Sequence, residues 1–383
     1  MDAKLDGITK RQGTQDQRSD EVRAWLSFIR DRRWSLVQKR RLIDRYNNPA
    51  IIYARSKAEL LACIKGRYKN TNTEVTDATL NNDERWLALA GNHLITFNDD
   101  NYPSALREIH DPPVALFVKG DLACLSGPII AIVGSRRPSP IGAKLTKDLA
   151  GGLARLGISI GSGMALGIDG MAHQACLDAG TKTIAVMGCG LDIVYPARHR
   201  KLFADVVDNG CVVSEYPLGS TPTKYSFPQR NRIVSGLSLG VIIVEAAERS
   251  GTLITARLAA EQNRQVMVVP GSVFSSQYAG SNRLLKEGAA LICGVDDVLF
   301  ELSNALGATF QDQLSWISND SDLAPQVELS HPILQYLSDQ SSSVDQIIQA
   351  SGLTAAEVSS MLLILEVDGV IAATDDGGYV RLV

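Results

Sequence analysis

The stretch TKYSFPQRNR, residues 223–232, is unusual in a chain rich in glycine and apolar residues. Three cations, two amides and two aromatic rings occur in it: Lys224, Arg230, Arg232, Gln229, Asn231, Tyr225 and Phe227. Cations beside an aromatic ring suit single-stranded nucleic acid, because the charges hold phosphates and a base of any sequence can stack on the ring. The stretch is therefore our first candidate for a nucleic-acid contact.

A structural role explains part of the same stretch. Phe227 could cover an edge of the core, and Arg232 could pair with an acid such as Glu245. Pro228 is well suited to the first position of a helix, which predicts a helix over about 228–238 with a partial positive charge at its start. We expect Arg230 and Arg232 to hold the loop or to make secondary contacts with DNA.

A second candidate is the stretch AIVGSRRPSPIG. An apolar strand ends at Gly134, and Ser135, Arg136 and Arg137 lead into a helix that starts near Ser139. Free N–H groups at a helix start bind anions, and guanidinium groups strengthen such a site. The pattern favours a phosphate site over a glycine turn whose arginines point into solvent.

Glycines also crowd the stretch GSGMALGIDGMAHQA. It lacks the Gly-Lys-Ser/Thr of a Walker A loop, and its third glycine comes one residue too late for a dinucleotide fingerprint. Backbone amides around Ser162, Gly163 and Gly167 could still form a nest for a phosphate. We expect His173, on the helix that follows, to be structural rather than catalytic.

The stretch VEAAERSGTLITA places another strand end beside a turn. Its Ser250 and Gly251 open the next helix and resemble a phosphate-gripping turn. Glu245 has two interpretations that the sequence leaves open. It is either a general base or ribose ligand, or an ion-pair partner that fixes a basic loop.

The elements that must position these residues alternate between short apolar runs and helices. Near-continuous apolar strands separated by helices predict an α/β fold with a doubly wound parallel sheet covered on both faces. Ligands of such sheets bind at the edge where the strands end. The predicted strands are 129–134, 157–163, 181–188, 210–217, 240–246 and 265–271.

The regions outside the sheet differ in pattern. Residues 1–84 predict a small helical domain, with a polar linker or surface loop at 71–84, and residues 85–300 form the α/β domain. Residues 301–328 lose periodicity, which is typical of a linker. Residues 329–383 predict three helices and a hairpin with an Asp-Gly turn, the arrangement of a winged-helix domain.

The charges divide unevenly along the chain. The net charge is −4, yet residues 1–70 carry 17 Lys and Arg against 8 Asp and Glu, and residues 325–383 carry one against eight. A basic head can help to hold a polyanion, although a solvated helical surface explains it equally well. The third helix of the winged unit, 354–367, offers Glu357 and Glu366 and no cation, so a protein contact or docking on the basic pocket fits it better than duplex DNA.

Composition narrows the classes of protein further. The six cysteines are scattered without metal-ligand spacing, which predicts free thiols in a reducing cytosol, no metal and no cofactor. We expect neither a membrane span nor a secretory signal. An enzyme would have to use Asp169, His173 and Glu245 around a nucleotide, but the sequence offers no clear pairing of nucleophile and base. The features favour a binder, with a nucleotide-processing enzyme of a Rossmann-like family as the alternative.

Four long motifs closely resemble the DNA-processing family DprA, also called Smf: IAIVGSRRPS, GSGMALGIDGMAHQACLDAGTKTIAVMGCGLDIVYP, SEYPLGSTPTKYSFPQRNRIVSGLS and VIIVEAAERSGTLITARLAAEQNRQVMVVPG. The resemblance covers roughly residues 90–300. The flanking regions are similar to sterile-alpha-motif-like and winged-helix modules of that family.

The resemblance implies an extended Rossmann fold and a non-enzymatic, cytoplasmic protein. Members bind single-stranded DNA, protect it during natural transformation, pass it to the RecA recombinase and dimerise through the Rossmann domain. It also implies that Arg136, with Arg137 beside it, and Lys224 and Phe227 form the DNA pocket.

Overall fold

A computed structural model describes residues 19–64, 75–306, 332–338, 340–367, 369–374 and 377–382. Its centre is a nine-stranded sheet with the order β1-β2-β6-β5-β4-β3-β7-β8-β9. The strands are β1 (Asn92–Thr96), β2 (Ala115–Gly120), β3 (Ile129–Val133), β4 (Ser159–Ser162), β5 (Thr183–Val186), β6 (Cys211–Ser214), β7 (Gly240–Ile243), β8 (Gln265–Val268) and β9 (Ala290–Leu291).

The six predicted strands are confirmed as β3 to β8, and all pair in parallel. Every residue of β3 and of β7 is buried, because helices cover both faces of the sheet. The sheet is larger than predicted, since β1 and β2 extend it with antiparallel pairing and β9 adds a short parallel strand. The fold is therefore mixed α/β with a dominant parallel sheet.

The order of the strands reverses between β3 and β7. The chain runs outward through β4, β5 and β6 on one side of β3, then returns to place β7 on its other side. The loops after β3 and β7 consequently leave the sheet in opposite directions and open a crevice between them. All four candidate stretches lie in or beside this crevice.

Helices cover the two faces of the sheet. They are α6 (Ser104–Arg107), α7 (Pro140–Arg155), α8 (Ile168–Asp178), α9 (Arg200–Asn209), α10 (Ser226–Gly236), α11 (Thr252–Glu261), α12 (Ala279–Lys286), α13 (Val295–Glu301) and α14 (Ser303–Leu306). The predicted helix start near Ser139 is confirmed, because Ser139 caps α7 by accepting from the Gly142 N–H, with Pro140 at the first position.

Five helices precede the sheet and are called the helical head below. They are α1 (19–30), α2 (Leu36–Tyr46), α3 (Pro49–Tyr53), α4 (Lys57–Cys63) and α5 (Asp77–Leu87). The head and one face of the sheet share a single hydrophobic cluster, in which Trp25 and Leu42 belong to the same core as Phe117 and Met187. The head is thereby built onto the sheet.

The prediction of a linker or loop over 71–84 is wrong where the structure describes it, since α5 begins at Asp77; residues 71–74 lie outside the described residues. Thr76 caps this helix, and Leu80 is buried. Asp83 is fully buried and pairs with Arg30 of α1 at 2.5 Å. The polar composition of this stretch suggested a loop, but charged side chains of α5 form ion pairs with the helical head.

The C-terminal unit confirms the winged-helix prediction. A 3₁₀ turn (Pro332–Tyr336), α15 (Val344–Ser351) and α16 (Ala355–Val367) pack with a small sheet around a core of their own. That sheet has the order β10-β12-β11, with β10 (Ser342–Ser343), β11 (Ile371–Ala373) and β12 (Gly378–Arg381). Residues 307–328 of the predicted linker lie outside the described residues.

Within the described ranges, no single helix is long and apolar enough to cross a membrane. Only α15 together with most of α16 passes that test by length and composition, as a pair bent by 114°.

Candidate nucleic-acid interface

A cavity of about 600 Å³ opens at the crevice between the ends of β3 and β7, and is called the switch-point pocket below. It gathers residues from five segments that are far apart in the chain. Nine of the residues singled out from the sequence line it: Gly134, Arg136, Gly163, Lys224, Phe227, Arg230, Asn231, Ser250 and Gly251. The topology therefore brings most of the four candidate stretches to one place.

The loop after β3 carries Arg136 at one side of the pocket, and its guanidinium is exposed. Thr252, at the start of α11, donates a hydrogen bond of 3.0 Å to the Gly134 carbonyl and so ties the loop to its neighbour. Gly167 has a φ of +79°, and a Cβ there would collide with the backbone of Ser135 and Arg136. Ser135 and Arg137 belong to this loop but do not line the pocket.

The loop after β4 forms the floor. The Arg230 guanidinium lies so close to Gly163 that a Cβ at that position would overlap it. Arg230 is buried, donates to the Val186 carbonyl, and leaves its Nε without a hydrogen-bond partner in the described part of the chain. Burial lowers the pKa of this guanidinium, an effect that the charge of Asp169 partly offsets. A bound anion would offset the cost of desolvation by stabilising the charged form of this guanidinium.

Ser162 does not present its side chain to the pocket. It is fully buried, and its Oγ donates to the Ile132 carbonyl at 2.6 Å. The prediction for Ser162 concerned its backbone amide, and Ser162 does not line the switch-point pocket, while its hydroxyl joins β3 to β4.

The first turn of α10 forms the opposite wall. Thr223 and Ser226 each donate a backbone N–H to the other's hydroxyl, at 3.0 and 3.1 Å, which fixes the turn that carries Lys224. The helix begins at Ser226, so the prediction of Pro228 at the first helical position is wrong by two residues. Lys224 is exposed, and no carboxylate in the described ranges lies within ion-pair distance of it.

Phe227 is half-buried and packs against Tyr195, with ring centroids 5.3 Å apart and planes at 34°. Tyr195 is 44% exposed and lines the pocket, although no pattern around it pointed to a binding role. It precedes α9, far from α10 in the chain, and only the parallel order of β5 and β6 brings the two rings together. The pair offers a partly open aromatic face to a flat ligand.

Arg232 is not part of the pocket. It is buried and pairs with Glu215 at 2.5 Å and with Asp111 at 3.2 Å. The expectation that Arg232 makes a secondary DNA contact is thus corrected, and its proposed pairing with Glu245 is wrong. The loop-holding alternative is the one that the structure supports.

Glu245 is fully buried, and no cationic side chain in the described residues lies within ion-pair distance of it. Its carboxylate accepts hydrogen bonds from the Ser139 N–H at 3.0 Å, from the Ser139 hydroxyl, and from the Tyr278 hydroxyl at 2.8 Å. It therefore holds the start of α7, and with it the loop that carries Arg136. Glu245 therefore fixes a basic loop, as one of the two interpretations held, but it does so through hydrogen bonds and not through an ion pair.

His173 lies in the core, as expected for a structural histidine. Its Nδ1 lies 2.7 Å from the Thr183 hydroxyl, which itself donates to the Ile160 carbonyl. Burial lowers the pKa of His173 to about 3, so the ring is neutral at physiological pH. His173 joins α8 to the sheet and does not line the pocket.

The charges around the switch-point pocket are uneven. Three cations line it, Arg136, Lys224 and Arg230, against the single carboxylate of Asp169. Asp169 is buried and accepts from the backbone N–H groups of Gly163 at 3.1 Å and Ala165 at 3.4 Å, so its charge is partly neutralised. Cations on two sides and an aromatic face between them can hold a phosphodiester chain and one of its bases.

Comparison with known proteins agrees with this geometry. The family model described as DNA recombination-mediator protein A matches residues 93–303, and that of the DprA winged-helix domain matches residues 319–377. Protein Smf of Escherichia coli K12 is 41% identical over 305 residues, which cover 78% of this chain and 79% of that protein. DNA processing protein DprA of Streptococcus pneumoniae is 47% identical over 203 residues, covering 53% and 72% respectively.

Two solved structures are similar as well. DNA processing protein A of Streptococcus pneumoniae has a TM-score of 0.64 at 34% identity and covers 73% of this chain and 97% of that one. A structure described as showing the single-stranded DNA binding mode of DNA processing protein A from Helicobacter pylori has a TM-score of 0.51 at 36% identity, with 56% and 97% covered.

Proposed function

The chain belongs to the DprA (Smf) family of DNA-processing proteins, and on that premise we propose that it binds single-stranded DNA in the switch-point pocket. Arg136 and Lys224 hold phosphates, and Phe227 stacks on a base. The observation that carries the proposal is the meeting of these three side chains in one cavity. The Helicobacter pylori relative, described by its single-stranded DNA binding mode, supports it.

Single strands are preferred over duplexes for a geometric reason. Phe227 can stack only on a base whose face is free, whereas the bases of a duplex are covered by their neighbours. The side chains that line the pocket come from loops, from α10 and from the first turns of α8 and α11, so the pocket is a concave site and not a helix presented to a major groove. The proposal therefore includes little discrimination between base sequences.

The proposal is of a binder and not of an enzyme. The two carboxylates that an enzyme would use already accept hydrogen bonds within the protein. Asp169 accepts from two backbone amides, and Glu245 accepts from Ser139 and from the Tyr278 hydroxyl. Incubation with nucleoside monophosphates tests this part. Release of free base or phosphate, lost in an Asp169→Asn variant, would favour the enzyme.

We further propose that the bound strand passes to the RecA recombinase during natural transformation, in the cytosol. Two observations support this. The family model is described as a recombination mediator, and six free thiols suit a reducing compartment. A strand-exchange assay that contains RecA and a single-strand-binding protein tests this role. If this chain does not stimulate strand exchange, the role is wrong.

A homodimer through the α/β domain completes the proposal. Strand β9 is at one edge of the sheet and presents Leu291, while Phe300 of the adjacent α13 is 77% exposed. Apolar side chains beside an open strand edge suit pairing with a second copy. Sedimentation should show a dimer that Phe300→Ser together with Leu291→Ser dissociates; a monomeric parent would contradict this part.

Fluorescence anisotropy with competing oligonucleotides tests the central proposal. A labelled single strand should be displaced by unlabelled single strands and at least tenfold less well by duplex of the same length. Lys224→Ala and Arg136→Ala should each weaken binding, whereas Lys147→Ala and Arg155→Ala, on the exposed side of α7, should not. Equal losses in both sets would mean that binding depends on overall charge and not on the pocket.

A further inference from the structure

A second cavity, of about 520 Å³, lies where the helical head meets the sheet, and is called the head–sheet cavity below. The turn between α1 and α2 forms one wall, and the segment after β6 forms the other. Gln229 of α10 also lines it, while its neighbours Pro228 and Arg230 line the switch-point pocket. The two cavities are therefore on opposite sides of one helical turn.

Lys39 of α2 lines this cavity although it is only 5% exposed. Its ammonium has three N–H groups, one of which donates to the Ile29 carbonyl at 2.5 Å. No carboxylate in the described part of the chain lies within ion-pair distance of it. Burial lowers the pKa of Lys39 to about 8, so the protein maintains a desolvated cation that an incoming anion would stabilise.

Two carboxylates also line the cavity, but each already has a cationic partner. Asp31 pairs with Arg33 at 2.6 Å, and Glu215 pairs with Arg232 at 2.5 Å. Three cations line the cavity, Arg30, Arg32 and Lys39, against these two carboxylates, whose charges also act on Lys39. The cavity consequently attracts an anionic group and does not repel it.

The remaining walls suit a flat, partly polar ligand. Trp34 and Tyr216 supply aromatic surface, and the Tyr216 hydroxyl donates to the Gln229 side-chain oxygen at 3.0 Å, which fixes that amide at the rim. Cations and aromatic surface also occur together in the switch-point pocket. A phosphate and a base of one nucleotide satisfy the cations, the aromatic surface and the amide.

We propose that the head–sheet cavity binds a second segment of the same single strand, which crosses the first turn of α10 to reach Lys39. This inference rests on the proposed function, since it extends the DNA path from the switch-point pocket. It gives the basic helical head, which carries ten Lys and Arg against five Asp and Glu over residues 19–64, a direct part in holding the strand.

Binding as a function of strand length tests the inference in the full chain. An oligothymidylate of about three nucleotides fills the switch-point pocket alone, whereas one of about twelve also spans α10, within the site sizes usual for single-strand binders. Lys39→Met removes the ammonium while keeping the length of the side chain. It should weaken binding of the longer strand about tenfold and lower its salt slope by about 0.7, with the shorter strand unchanged.

Lys57→Met, on exposed α4 of the same head, is the matched control and should change neither strand. Arg32→Ala provides a variant of an exposed residue that does not disturb the core, and should weaken only the longer strand, by about threefold. The inference is overturned if Lys39→Met and Arg32→Ala both leave the longer strand unaffected, or if they weaken both lengths equally. Failure of the proposed function gives a different result, in which Arg136→Ala affects neither length.

Discussion

Two regions of this chain have architectures associated with DNA, and their surfaces are opposite in charge. The switch-point pocket collects Arg136, Lys224 and Arg230 around the ring of Phe227. Helix α16, at the position of a recognition helix in the winged unit, contains Glu357 and Glu366 and neither Lys nor Arg. Its exposed residues include the apolar Leu363 and Ile364.

The difference teaches that architecture alone does not assign the DNA site. A winged helix that reads duplex DNA needs cations against the phosphates, because these supply most of the affinity. Glu357 of α16 accepts hydrogen bonds from the N–H and hydroxyl of Thr354, at 2.9 and 2.6 Å, so this acid builds the start of the helix itself. Helix α16 therefore offers no Lys or Arg to phosphates, in contrast to the switch-point pocket.

The largest effect is expected when both exposed cations of the pocket are removed. Arg136→Ala combined with Lys224→Ala deletes two charge-assisted phosphate contacts, each worth about 1.5–3 kcal/mol. Affinity for a single strand should fall more than about 100-fold and the salt slope by about 1.4. Anisotropy at several salt concentrations measures both. If the affinity falls by less than about tenfold, the switch-point pocket is no better a candidate for DNA binding than the winged unit.

The next effect concerns the aromatic face. Phe227→Ala should weaken single-strand binding by about 1–3 kcal/mol, while the salt slope stays the same because stacking releases no counterions. Phe227→Tyr, which keeps the ring, should bind nearly as the parent does. If the alanine variant binds as tightly as the parent, the stacking role is wrong.

A smaller effect is expected at Tyr195, whose ring packs against Phe227 at 5.3 Å. Tyr195→Ala should weaken binding by about 0.5–1.5 kcal/mol, the usual contribution of an aromatic pair, because Phe227 loses the surface that orients it. Tyr195→Phe is the control and should have no effect. A Tyr195→Ala loss as large as that of Phe227→Ala would instead mean that Tyr195 stacks on a base directly.

The smallest effect is expected from the winged unit. Removal of residues 325–383 takes away a net charge of −7 and a unit with its own core. Single-strand affinity should be unchanged or higher by up to about threefold, because an acidic neighbour of the DNA is gone. The same titration measures it. A large loss of affinity would place DNA on the winged unit and invert the comparison.

The sheet and most of the pocket could be predicted from local sequence patterns. Buried β-branched runs predicted β3 to β8, and glycines at strand ends predicted the loops that line the crevice. Parallel topology then forces those loops to one edge, so Gly134, Gly163 and Gly251 could be grouped without a structure. The charged and aromatic residues near Phe227 were adjacent in sequence, which made them visible.

Partners from distant segments could not be predicted. Arg232 pairs with Glu215 and not with Glu245, and Tyr195 packs against Phe227. The order of the strands in the sheet decides which loops meet and therefore which side chains make these contacts. Helix α5 was missed since its Asp83 is satisfied by Arg30, more than fifty residues away. Strands β1 and β2 were also missed, although residues 115–118 of β2 form a buried apolar run; β2 pairs antiparallel with both β1 and β6.

Photo-crosslinking of the full chain to a single strand that carries 5-iodouracil tests the central claim most directly. The adducted peptides, identified by mass spectrometry, show which surface touches the bases. We expect adducts on the peptides that contain Tyr195 and Phe227, and a strong loss of these adducts in the Arg136→Ala/Lys224→Ala variant. Adducts confined to α15 and α16, unchanged in that variant, would contradict it.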